Sequence, residues 1–262
     1  MNSPSASSVT VLGSGTLVPN AGRSSAAHLI EAPGVRLLLD CGAGTLHGFD
    51  RHGVPWQQLT HVAFSHLHTD HVGDLPALLA ALKHGVSPRR QEGLTLVGPP
   101  GFRDFFTRLS IAMGGQFDGL GFPLLVCEIS RERPLGDQDA GFKLEAHPTR
   151  HTEESVAYRW EGSDGVVAYT GDTGPCEELA RFLSGADVLI SECTVPDPTE
   201  METHLSPAGL AELAGVARPG LLVLTHVGPG LTPEEAVRAV GAAGYAGQVV
   251  AGFDGLRLPL RA

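Results

Sequence analysis

Ser65-His66-Leu67-His68-Thr69-Asp70-His71 sets three histidines and an aspartate in a row, directly after the short apolar run Val62–Ser65. That run reads as a buried strand that delivers the chain to the histidines. Side chains at i and i+2 of an extended segment point the same way, so His66 and His68 can meet one ion. A turn at Thr69 brings Asp70 and His71 back toward a second ion beside the first. Neutral imidazole and carboxylate suit zinc, manganese and iron alike, so the donor set calls for two divalent ions without choosing among them. A lone histidine here would fit a plain polar turn; this cluster at this spacing does not.

Outward from the cluster, strands alternate with helices. Val9–Gly13, Ala27–Glu31 and Val35–Asp40 read as strands separated by Gly/Pro turns, and Thr45–His52 as a helix. Beyond the histidines come a helix at Leu75–Lys83, a strand at Leu94–Val97 and a helix at Gly101–Met113. In the second half Leu124–Ile129, Phe142–His147, Val156–Trp160, Val166–Thr170 and Leu221–Thr225 suit sheet. Glu177–Leu183, Pro207–Val216 and Pro233–Val240 suit helix, the last two capped by Ser206 and Thr232. Both halves mix the two element types, which predicts an α/β fold of two packed sheets covered outside by helices. No linker or low-complexity tract interrupts it, so residues 1–262 read as a single domain.

Apolar residues make up 42% and charged residues 18%, an ordinary globular composition. The net charge of −11 lacks the basic stripe that a phosphate backbone demands. Only Arg89–Arg90, with Lys83 and His84 before them, form a short basic cluster, so extended nucleic acid is disfavoured as partner. Cys41, Cys127, Cys176 and Cys193 show no C-x-x-C spacing and read as buried free thiols in a reducing compartment. The opening MNSPSASS has no apolar h-region, and no apolar run reaches the ~18 residues of a membrane span. A cytoplasmic protein with no membrane partner is expected.

His66-x-His68-x-Asp70-His71 after a strand resembles the signature of the metallo-β-lactamase superfamily. His151 opening His-Thr-Glu-Glu-Ser-Val-Ala-Tyr-Arg, Asp172 in Tyr169-Thr-Gly-Asp-Thr-Gly-Pro175, and His226 ending Leu224-Thr-His resemble its later motifs, in its order. Val11-Leu-Gly-Ser-Gly-Thr16, Leu39-Asp40-Cys-Gly-Ala-Gly-Thr45, Val97-Gly-Pro-Pro-Gly101, Ser191-Glu192 and His204-Leu-Ser206 resemble the ribonuclease Z-like branch. The resemblance implies a four-layer αββα sandwich of two mixed β-sheets flanked by helices. It implies that His66, His68 and His151 bind one ion, typically zinc, that Asp70, His71 and His226 bind the other, and that Asp172 bridges them. It further implies Asp70 and His204 as the catalytic candidates, His204 beside the site as a proton donor or transition-state contact coupled to Asp70. Homodimers are common in that branch. Ribonuclease Z itself carries a long flexible arm that grips transfer RNA; no glycine-rich basic arm stands between Gly98 and His147, and Asp74 stands where that enzyme usually has glycine.

Two ions about 3.5–4 Å apart can hold a bridging hydroxide and polarise a phosphoryl or carbonyl oxygen. The resemblance to the ribonuclease Z-like branch, without an RNA-gripping arm, therefore implies first a phosphodiesterase acting on a small or cyclic, anionic phosphodiester. Ribonuclease Z-type processing of transfer-RNA 3′ ends comes second, and a lactone, thioester or aryl sulfate hydrolase third. Glu192 reads either as a carboxylate orienting a histidine or as a salt-bridge partner. His28, His47, His52, His61, His84 and His147 match no motif and read as surface or satisfied core residues. Arg23 and Arg150 read as solvated, and Gly13-Ser-Gly15 as a strand-ending turn, since no phosphate-loop lysine follows.

Overall fold

Short runs rich in valine, leucine and isoleucine, each stopped by glycine or proline, give a chain of brief strands rather than long helices. The computed structural model describes residues 7–137, 141–196 and 201–260; part of the MNSPSASS segment, residues 1–6, lies outside the described residues. The first half runs β1 (Ser8–Gly13), β2 (Ala27–Ala32), β3 (Val35–Leu39), α1 (Thr45–Arg51), β4 (His61–Ala63), α2 (Thr69–Val72), α3 (Leu75–His84), β5 (Leu94–Gly98), α4 (Phe102–Ala112) and β6 (Leu124–Glu128). The second runs β7 (Leu135–Asp137), β8 (Phe142–Pro148), β9 (Val156–Gly162), β10 (Gly165–Tyr169), α5 (Glu177–Phe182), β11 (Val188–Cys193), α6 (Pro207–Ala217), β12 (Leu221–Val227), α7 (Pro233–Ala242), β13 (Val249–Ala251) and β14 (Arg257–Pro259).

These strands form two seven-stranded sheets, ordered β14-β1-β2-β3-β4-β5-β6 and β13-β12-β11-β10-β9-β8-β7. Both are mixed. In the first, β14, β1, β2 and β3 pair antiparallel and β3 to β6 parallel. In the second, β7 to β10 pair antiparallel and β10 to β13 parallel. Their inner faces share one apolar core, with Val9, Ile30 and Leu37 from one sheet against Leu144, Tyr158, Trp160 and Ile190 from the other. Alternation along each strand sends the next residues outward. Leu38 and Val62 meet Leu75 and Leu79 of α3, while Leu189 and Leu222 meet Leu210 and Ala214 of α6. Both faces of each sheet are therefore covered, which is why the parallel strands read as unbroken apolar runs. The expected αββα sandwich is what the chain adopts. Among the described residues no helix is long and apolar enough to cross a membrane.

In open α/β sheets, functional groups gather beyond the carboxyl ends of the parallel strands. Asp40 follows β3, the histidine loop follows β4, Asp172 follows β10, and Glu192 and His226 lie in the last turns of β11 and β12. The strand before the histidines differs from expectation: β4 stops at Ala63 rather than Ser65. The reason is local. Ser65 N–H donates to Asp40 Oδ1 (2.7 Å), Ser65 C=O accepts from Val156 N–H (2.9 Å), and Phe64 C=O accepts from the Tyr158 hydroxyl (2.6 Å). Side chains and the opposite sheet thus replace ladder partners. The strand β7 was not expected, since Leu135-Gly-Asp carries too little periodicity to mark an edge strand.

Replacing Tyr158 by Phe should leave the buried Phe64 carbonyl without its donor. The expected cost is about 1–3 kcal/mol of stability, read by urea denaturation with an unchanged m-value; an unchanged midpoint would show that the tether does not hold the histidine loop.

Candidate metal centre

The histidine loop leaves β4 extended through His68 and turns into α2 at Thr69, as the sequence predicts. His66 Nε2 and His151 Nε2 each lie 3.1 Å from His68 Nδ1. His226 Nε2 lies 3.2 Å from Asp70 Oδ2, and His71 Nε2 lies 3.8 Å from the same oxygen. Asp172 stands between the two groups with one oxygen toward each. Its Oδ2 is 3.8 Å from both His66 Nε2 and His151 Nε2, while its Oδ1 is 3.5 Å from His71 Nε2 and 3.6 Å from His226 Nε2. All seven predicted ligands therefore converge on one region, where possible cation-holding groups also cut across the two expected sets, as in His66–His71–Asp172 and His151–Asp172–His204. Groups able to hold a cation include His66–His68–His151 and Asp70–His71–His226.

The imidazole orientations follow from what each ring's other nitrogen meets. His71 Nδ1 donates to Asp40 Oδ2 (2.7 Å). His151 Nδ1 donates to the Thr203 carbonyl (3.2 Å). Thr194 Oγ1 gives its proton to the His226 carbonyl (3.0 Å) and so accepts from His226 Nδ1 (2.9 Å). Ser65 Oγ gives its proton to Asp40 Oδ2 (2.7 Å) and accepts from His66 Nδ1 (3.0 Å). Each Nε2 is left as a bare lone pair aimed inward, the state a metal-ligating histidine needs. His71 Nε2 and Asp172 Oδ1 are both buried without a hydrogen-bond partner. Two such acceptors facing each other are a donor set that a divalent cation would satisfy and that no group among the described residues does.

Without an ion the histidines and Asp172 act strongly on one another, and His226, like His71, is raised by Asp172 against burial. Burial resists charge on Asp172, but His226 and His71 outweigh it and hold its carboxyl well below the usual range. Burial also opposes charge on His71, which Asp172 and Asp40 overcome, raising it. His66 has its pKa pushed far down by burial and by His71, and His151 is lowered mainly by burial. His204 lies beside the centre, its ring 4.8 Å from that of His151. Its Nδ1 donates to Glu192 Oε1 (2.9 Å), so the expected coupling to Asp70 is replaced by one to Glu192. That bond and the Glu192 charge raise His204 against the lowering effect of burial. Glu192 also accepts from the backbone amides of Thr173 (2.7 Å), Thr194 (3.2 Å) and Leu205 (3.2 Å). Of the two readings of Glu192, the orienting carboxylate is the one the geometry carries.

Other expectations divide. Arg150 is exposed and pairs with Glu202, whereas Arg23, expected to be solvated, donates to the Val227 carbonyl (3.3 Å). His28 is fully buried with neither ring nitrogen partnered, unlike a satisfied core histidine, and burial lowers its pKa to about 3. The cysteines are unpaired, Cys41 and Cys193 buried but Cys127 and Cys176 half-exposed. Sequence reasoning gave no role to Asp40, Tyr169 or Thr194. An aspartate closing an apolar strand into a fully buried position was the available signal for Asp40; the other two carry none.

Fold and site together define a metal-dependent hydrolase, and the chain belongs to the metallo-β-lactamase superfamily, in its ribonuclease Z-like branch. The sequence model for the beta-lactamase superfamily domain matches residues 35–227, from the start of β3 to the end of β12. Ribonuclease Z of Mycobacterium sp. (strain KMS) is 31% identical, covering 94% of this chain and 93% of that protein. Among solved structures, the metallo-beta-lactamase fold protein YhfI from Bacillus subtilis superposes with TM-score 0.82 at 24% identity, over 97% of this chain and 99% of the other. Human tRNase Z, short form, gives 0.77 at 24% identity, over 97% and 100%. These two likenesses bear on the fold. Family membership implies divalent metal ions as cofactors, which the donor set fits.

Asp40→Asn should disturb the site without touching a predicted ligand, because an amide brings two N–H donors where the carboxylate accepts from four groups. Metal affinity is expected to fall about 10–100-fold, read by chelator competition and metal analysis. Wild-type affinity in a folded variant would remove Asp40 from any role in holding His71.

Proposed function

We propose that this chain is a dinuclear phosphodiesterase of the ribonuclease Z type, cutting a phosphodiester near the 3′ end of a transfer-RNA precursor. The observation that carries the chemistry is the straddling carboxylate of Asp172, with one oxygen directed at each ligand group. In this reading His66, His68 and His151 would hold one ion and Asp70, His71 and His226 the other, with Asp172 shared between them. Two divalent ions, zinc by family habit, supply Lewis acidity and a nucleophile usable at neutral pH. Two carboxylates among neutral imidazoles leave the loaded centre net positive, which suits an anionic phosphodiester. Asp70 Oδ2 and His226 Nε2, 3.2 Å apart, are two acceptors that would meet on the same ion. His204, held through Nδ1 by Glu192, presents Nε2 as the proton donor to the departing oxygen.

The choice of RNA over a small diester reverses the order drawn from charge. It rests on the ribonuclease Z relative, which is 31% identical and matched over 93% of its length. A small or cyclic phosphodiester stays as the second reading, favoured by the net charge of −11. The described residues between Gly98 and His147 also fall largely in α4, β6, β7 and the start of β8.

Metal-reconstituted protein should hydrolyse bis-p-nitrophenyl phosphate and cut a 3′-extended transfer-RNA precursor at one site, and Asp172→Ala or chelation should abolish both. Turnover of cyclic nucleotides with intact precursor would move the assignment to the second reading. No diester turnover with two ions bound would end the phosphodiester reading and direct attention to lactones, thioesters and aryl sulfates.

Because the Glu192 charge holds His204 protonated to higher pH, activity that needs this acid persists until pH rises through its raised pKa. Glu192→Gln should shift the alkaline limb of the kcat–pH profile to lower pH. An unmoved limb with reduced kcat would assign the proton to another group.

A further inference from the structure

The loop joining β1 to β2 is fastened by a residue from the far end of the chain. Asp254, between β13 and β14, accepts through Oδ1 from the Ser14 amide (2.9 Å) and the Ser14 hydroxyl (2.8 Å). Through Oδ2 it accepts from the Ser24 amide (2.7 Å). One carboxylate thus spans both arms of the loop at its base, where Gly15 N–H also donates to Ser24 C=O (2.7 Å). The arms abut so closely that a Cβ on Gly13 would fall 1.8 Å from the Ser25 carbonyl oxygen. The same loop touches the candidate metal centre. Ser14 C=O accepts from the amide of His226 (2.9 Å), and Arg23 reaches the carbonyl of Val227 (3.3 Å). His226 needs such support, because its φ of 51° is a left-handed conformation that costs a non-glycine residue on the order of 1–3 kcal/mol. Beyond the clasp the loop exposes Leu17 and Val18, 66% and 52% accessible, apolar side chains whose placement is set by its base.

We propose that Asp254 is a positioning residue: by clasping Ser14 and Ser24 it fixes both the β1–β2 loop and, through the Ser14 carbonyl, the backbone of His226. Partners bonded directly to ligating side chains typically contribute about 10–100-fold to metal affinity; Asp254 acts through one intervening residue, so its effect belongs at the low end of that range. The metal part of this proposal rests on His226 being a ligand; the loop part does not.

The test compares Asp254→Asn and the milder Ser14→Ala with Asp164→Asn. Asp164 clasps Ser7 in the same manner, at 2.6 Å from the Ser7 hydroxyl and 3.2 Å from its amide, beside the opposite end of β1. Trypsin should cut wild type slowly at Arg23–Ser24 and Asp254→Asn about 10-fold faster, the loss of charge-assisted hydrogen bonds favouring local opening, with Ser14→Ala between them and Asp164→Asn like wild type. Zinc should pass to a chromophoric chelator about 10-fold faster from Asp254→Asn than from Asp164→Asn. Equal nicking and equal metal loss in the two Asp→Asn variants, with a lowered Tm alone, would overturn the proposal. Faster nicking without faster metal loss would overturn the link to His226. Wild type that holds no zinc would instead sink the metal reading, leaving the cleavage rate at Arg23 to decide the clasp.

Discussion

The structure turns on one buried carboxylate, Asp40, which the chain surrounds with four donors. Its Oδ1 takes the Ser65 amide, and its Oδ2 takes the Ser65 hydroxyl, His71 Nδ1 and the Tyr169 hydroxyl, each at 2.7 Å. Burying an unpaired carboxylate would be prohibitive, so the site exists because these donors come from three places at once. Ser65 and His71 belong to the histidine loop and its helix, Tyr169 to the opposite sheet. Asp40 itself sits at φ 58°, a conformation accepted here so that its side chain turns back under the loop. The carboxylate therefore joins the two sheets at the point where their parallel strands end, and in doing so aims His71.

A second carboxylate does the corresponding work on the other side. Glu192 is 1% exposed and gathers three backbone amides together with His204 Nδ1. The two halves of the fold each bring a parallel strand that ends in a buried acid, and each acid orients a histidine toward the space between. The difference lies in what the histidine then faces. His71 Nε2 looks at Asp172 in the dry interior, while His204 sits at the edge with its side chain 10% exposed. A ligand role suits the first position and proton exchange with a substrate oxygen suits the second.

How much of this was legible follows from the range of each interaction. Apolar periodicity is local, so β1 to β3, the main helices and the layered architecture could be read directly. The ligand cluster at His66 to His71 is local too, and spacing alone gave its two-sided geometry. His151, Asp172 and His226 come from distant strands, and it was their likeness to known motifs that singled them out. Asp40, Tyr169 and Thr194 escaped because their role is to face a ligand's other nitrogen, which depends on packing between sheets. The pairing of His204 with Glu192 rather than Asp70 is of the same kind: it depends on where β11 ends relative to the start of α6.

Net charge is a weak guide to the chemistry for a related reason. A total of −11 sums groups spread over the whole surface, but at physiological salt their fields decay over about 8 Å. A substrate phosphate at the centre sees chiefly what lies within that distance: imidazoles whose lone pairs converge and two carboxylates that two dications would outweigh. Asp254 carries formal charge too, yet it is enclosed by Ser14 and Ser24, and its consequence is mechanical. Charge therefore bears on how a long polyanion approaches the protein, through association rate and salt dependence, far more than on which bond is cut once it arrives. The donor geometry sets the chemistry; the surface beyond one screening length decides between a short diester and an RNA end.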